Sequence, residues 1–100
     1  MKTFLNLSHA VGFISEALEE DDWKSLADAC RAELPAAWVL ERLQETHRTT
    51  PLPELYADRE FPKNSTEFKL GGHDTELGHI HIDFVKESNG WEIKQIWMCR

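Results

Sequence analysis

Alternate residues in the run His79-x-His81-x-Asp83 carry two imidazoles and a carboxylate. Alternate residues of a strand share a face, so the three groups would stand about 6–7 Å apart along it. Two imidazoles and one carboxylate are a donor set for Zn²⁺ or Fe²⁺, and His73 and Asp74 lie close enough in sequence to add ligands from a loop. The competing reading is a polar outer strand face, part of it used between subunits, because His-x-His arises readily in a chain with five histidines. That reading is carried forward, and no metal or cofactor is assigned.

General acid–base work calls for an Asp, His or Tyr held in a pocket. By type the candidates are Tyr56, Asp58, His47 and Asp83, and none of them sits in a catalytic motif. Tyr56 also reads as a loop anchor and Asp58 as a solvated carboxylate. Nucleophilic hydrolysis has less support. There is no Gly-x-Ser-x-Gly, and Gly71-Gly72 lacks the Lys-Ser/Thr of a phosphate loop, so it reads as a strand end. Cys30 and Cys99 share no redox or metal spacing; they are expected as reduced thiols in a cytoplasmic protein, with Cys30 as packing.

The elements that would position these groups follow from hydrophobic period. Leu7, Val11, Ile14 and Leu18 mark one face of a helix over about 4–20, capped by Thr3 or Asn6. Trp23, Leu26, Ala27, Cys30 and Leu34 mark a second over about 22–34, capped by Asp21 or Asp22. Pro35 opens a third over about 36–47, with Trp38, Val39, Leu40 and Leu43 on its stripe. Trp23 and Trp38 are expected in the core. Residues 49–65 hold Pro51, Pro53 and Pro62 among Leu52, Leu55, Tyr56 and Phe61, and read as an irregular segment lying over the body of the domain.

From Glu67 onward the period is two, giving strands over about 66–71, 78–87 and 91–99. A Ser88-Asn89-Gly90 turn pairs Glu87 with Trp91 and hence Ile82 with Ile96. The face formed by Ile80, Ile82, Phe84, Ile96 and Met98 is then apolar and expected under the helices. His79, His81, Asp83, Trp91, Ile93, Gln95 and Trp97 fall on the other face, which is mixed and expected to be partly covered. The whole is one α+β domain of 100 residues.

With 41% apolar residues, a core needs no disulfide. The net charge of −7, with Glu16, Glu19, Glu20, Asp21 and Asp22 clustered, would repel a phosphate backbone, so nucleic acid is not an expected partner. The run Phe4 to Ile14 is broken by Asn6, Ser8 and His9 and has no small-x-small site; it reads as a helix, with neither signal peptide nor membrane span expected.

Ala17, Leu18, Asp22, Trp23 and Leu26 match an A-L-x-x-x-D-W/Y-x-x-L pattern, and the ending Ile82 to Trp97 carries Gly90-Trp91 followed by Ile93. Together they resemble the opening helix pair and final hairpin of the NTF2-like (SnoaL-like, cystatin-like) superfamily. This chain is shorter than the usual members, and its middle does not match. The resemblance implies a cone of helices on a bent antiparallel sheet, a pocket between them, and dimerisation through the sheet. The function carried forward is a non-catalytic binding or interaction module. It would self-associate as a homodimer through the face with His79, His81, Asp83, Trp91, Gln95 and Trp97, or take a small apolar ligand or protein partner. The alternatives are an isomerase or lyase with acid–base residues in the cone, and a metal-binding protein.

Overall fold

The computed structural model describes residues 2–57, 66–72 and 77–99. Four helices precede an antiparallel sheet of order β1-β2-β3: α1 Leu7–Glu20, α2 Trp23–Ala29, α3 Ala37–Thr49, α4 Leu52–Ala57, β1 Glu67–Gly71, β2 Ile80–Glu87 and β3 Gly90–Met98. The α+β class read from the sequence holds. No helix among the described residues is long and apolar enough to cross a membrane.

Helix α1 starts at Leu7 because the Asn6 side chain accepts the His9 N–H at 2.9 Å, satisfying one orphan donor of the first turn. It ends where Asp21 takes a left-handed conformation (φ 55°), and the N–H groups of Asp21 and Asp22 both reach the Ala17 carbonyl. From α3, Gln44 donates to the Leu18 carbonyl at 2.7 Å and to Asp21. Asp22 then caps α2 by accepting the Ser25 N–H.

Three sequence expectations about the helical half need correction. The first helix does not begin at residue 4, because Phe4 exchanges two backbone hydrogen bonds with Trp91 and so belongs to the edge of the sheet. The second stops at Ala29, short of residue 34. Residues 30–32 leave it extended and run parallel to β3, with Arg31 and Ala32 N–H groups bonding the carbonyls of Ile93 and Lys94 at 3.0 Å. Trp38 is 58% exposed, whereas Val39, Leu40, Leu43 and His47 form the buried stripe of α3 and leave Trp38 turned away from it. Within the Pro-rich segment, Pro51 opens a fourth helix. Its carbonyl receives the N–H groups of Glu54 and Leu55, and Leu52 and Leu55 are buried.

The apolar sheet face is the one expected. Ile80, Ile82 and Phe84 are fully buried, Ile96 nearly so, and Met98 packs against the same core. Phe68 and Leu70 join them from β1, opposite Phe84 and Ile82. Leu7, Ile14, Leu18, Leu26, Leu43 and Leu52 fill the space between this face and the helices. Burying a side chain of this size stabilises by about 1.5–3 kcal/mol, so this layer is the main favourable contribution to folding.

The hairpin register is half as expected. Ile80–Met98, His81–Trp97, Ile82–Ile96 and Asp83–Gln95 pair as the three-residue turn predicts. Nearer the turn, Phe84 pairs with Ile93, Lys86 with Trp91, and Glu87 with Gly90, so the loop is the two residues Ser88-Asn89. A β-bulge at Lys94 reconciles the two registers by adding one residue to β3. Because strand alternation has period two, the extra residue turns Trp91 and Ile93 to the buried face. Both had been expected outside; they are 5% and 0% exposed.

Candidate functional site on the outer sheet face

The bulge has a structural partner. At Ile93 and Lys94 two successive carbonyls point to the same edge, which an unbroken strand does not allow. The successive N–H groups of Arg31 and Ala32 receive them. The Cys30 thiol lies 3.7 Å from the Lys94 carbonyl. Burial pushes this thiol's pKa up, partly offset by the N–H groups of Ala32 and Ile96 directed at it. Cys30 is therefore a structural plug beside the bulge, with its proton held.

Past the bulge, alternation places Gln95 and Trp97 on the outer face, opposite Asp83 and His81 of β2, with Lys69 of β1 opposite Asp83 on the far side. Asp83 is only 4% exposed although no described helix covers it. Its neighbours bury it. Oδ2 accepts from Gln95 Nε2 and from the Trp97 indole N–H, each at 2.8 Å, and Lys69 Nζ stands 3.6 Å away. Lys69 Nζ also lies 5.3 Å from the Trp97 ring centroid, a cation–π distance. The other side of the indole system is occupied by His81, stacked at 4.5 Å and 17°. The second carboxylate oxygen, Asp83 Oδ1, is buried and makes no hydrogen bond.

Charged pairs frame this patch. Lys94 reaches across β2 to Glu67 of β1 at 3.2 Å. Arg31 bonds Glu92 at 2.7 Å and Glu87 at 2.5 Å, and these carboxylates raise its pKa further. A cavity of about 70 Å³ opens beside Asp83, walled by Glu67, Lys69, Phe84, Lys94 and Gln95.

The structure thus brings together His81, Asp83, Gln95 and Trp97 from the expected interface set and leaves out Trp91. His79 sits just before β2, exposed, its carbonyl accepting the Cys99 N–H. Among the described residues no group of three His, Cys, Asp or Glu is placed to hold a metal ion; His73 and Asp74 lie outside the described residues. Lys69 completes the cluster and went unforeseen. Its outward phase was readable from Phe68 and Leu70, but its position opposite Asp83 needs the β1–β2 register, which no turn motif fixes.

The acid–base candidates lie elsewhere. His47 is buried beneath α4: its Nδ1 accepts the Leu52 N–H at 3.0 Å, so Nε2 carries the proton and donates it to Glu19 at 3.0 Å. Both ring nitrogens are engaged in pinning α1, α3 and α4 together. Tyr56 packs edge-on against Phe68, and burial pushes its phenol up. Asp58 lies outside the described residues.

No protein-family model matches the chain, and neither a curated protein nor a solved structure is found similar to it.

Proposed function

We propose that this protein is a non-catalytic interaction module that self-associates through the outer face of its sheet, as an NTF2-like domain would. The observation that carries this reading is Asp83, a carboxylate buried on a sheet face with no helix above it and with one oxygen still lacking a donor. Such a group costs about 1–3 kcal/mol when left unsatisfied, and an approaching surface can recover that. Trp97 beside it is the kind of large aromatic with a polar edge that interfaces use as an anchor. The frame of Lys69, Lys94, Arg31, Glu67, Glu87 and Glu92 carries both signs, which suits the self-complementary contact of a two-fold dimer.

Two features favour binding over catalysis. Aliphatic and aromatic side chains fill the space between helices and sheet where a cone pocket would lie. His47 has neither ring nitrogen available to take a proton from a substrate. Sedimentation velocity over micromolar concentrations tests the proposal. A concentration-dependent dimer that Trp97→Ala dissociates supports it. A monomer at every concentration, with Trp97→Ala indistinguishable, removes it.

A further inference from the structure

The roughly 70 Å³ cavity beside Asp83 is far below the 300–1,000 Å³ that encloses a metabolite-sized ligand. It has room for a water or a two-carbon head group. What it presents is specific. Asp83 Oδ2 is saturated by Gln95, Trp97 and the nearby Lys69, whereas Oδ1 is buried without a donor. The formal charges around the cavity cancel: Asp83 and Glu67 against Lys69 and Lys94. An added cation would sit between two ammonium groups and an added anion between two carboxylates, both repelled at short range. A neutral N–H or O–H donor meets the unmet acceptor at no such cost.

We infer that the cavity beside Asp83 is a recognition site for a neutral hydrogen-bond donor, a primary amide or hydroxyl, delivered by the side chain of the molecule that docks on this face. The inference rests on the outer face being the binding surface, and it adds what that surface selects. An Asn, Gln, Ser or Thr tip would enter the cavity and bond Oδ1. The Gln95 amide and the Trp97 indole N–H, both bonded to the same carboxylate, would report its arrival.

The test is a titration of ¹⁵N-labelled full-length protein with acetamide, following the Trp97 indole and Gln95 side-chain signals. N,N-dimethylacetamide, which lacks N–H, and ammonium chloride serve as comparison probes. The expected result is a saturable shift with acetamide and none with the other two, abolished in Asp83→Asn, which replaces the acceptor with a donor of the same shape. Should Asp83→Asn not fold, Lys94→Ala takes its place. It opens the cavity wall to water and is expected to raise the acetamide midpoint about threefold. Equal shifts with acetamide and its dimethyl analogue, non-saturating shifts, or a stronger response to ammonium would overturn the inference. A dimer without acetamide binding refutes this inference and leaves the interaction module standing. Acetamide binding by a strict monomer does the reverse for self-association.

Discussion

The indole N–H of Trp97 donates to Asp83 Oδ2 at 2.8 Å although the two residues are diagonal, not directly opposite, in the β2–β3 ladder. The direct partner of Asp83 is Gln95, which donates to the same oxygen, so two consecutive outward residues of β3 converge on one carboxylate. Charge-assisted bonds of this kind are short and stronger than neutral ones. Asp83→Ala strands both donors and is expected to cost about 1–3 kcal/mol in urea unfolding. A loss below a few tenths would mean that the Asp83 network contributes little to the folded state.

The bulge at Lys94 determines which side of the sheet Trp91 occupies. Deleting Lys94 would restore unbroken alternation and turn Trp91 and Ile93 outward, at about 1.5–3 kcal/mol each, a large part of a small domain's total stability. The deletion is therefore expected to unfold the chain by circular dichroism. Lys94→Ala keeps the backbone count and loses only an exposed ion pair, changing stability by less than about 1 kcal/mol. Equal effects from the two changes would show that the extra residue is not what matters.

His47 acts as a joint between helices. His47→Ala leaves the buried Leu52 N–H without an acceptor and opens a void under α4, and is expected to cost about 2–4 kcal/mol. Long-range ¹H–¹⁵N spectra of the wild type should show the Nε2–H tautomer. The Nδ1–H form would contradict the bond from Leu52.

Asp22 gives the fold an acid-sensitive cap. The Ser25 side chain, then the Ser25 N–H, holds its carboxyl below the usual aspartate range. A carboxylate whose folded value is depressed contributes stability that is fully present above the ordinary value and lost as pH falls through the folded one. Carboxyl ¹³C titration should therefore place the Asp22 midpoint below that of an unfolded-chain aspartate. A midpoint at or above it would contradict the cap.

The two thiols should differ in reactivity. Cys30 is buried, and burial raises its pKa, so little of it is thiolate at neutral pH; Cys99 is half-buried at the end of the sheet. Ellman's reagent is expected to modify Cys99 in the native protein and Cys30 only as fast as the chain opens. Simultaneous modification of both would contradict the plugged bulge.

Much of this was legible in residue types and spacing. The stripe Leu7, Val11, Ile14 and Leu18 gave α1 its buried face, and the alternation of Ile80, Ile82 and Phe84 gave the sheet its inner side. The grouping of His81, Asp83, Gln95 and Trp97 followed from the far half of the hairpin register. The bulge was not legible, because its partner is the segment Cys30 to Ala32, more than sixty residues away in sequence. A residue inserted into a strand leaves no local motif when a distant backbone satisfies it. Trp91 was misplaced for that reason, and Trp38 because an aromatic beside a helical stripe resembles one within it.

The most direct test of the outer face as the binding surface is an isotope-filtered NOE experiment on a mixed sample, half uniformly labelled and half unlabelled. Intermolecular contacts at Trp97, Gln95 and Lys69 are the predicted result. Intermolecular contacts confined to another surface, such as the exposed Trp38 on α3, or none at concentrations where the protein is dimeric, would contradict the account.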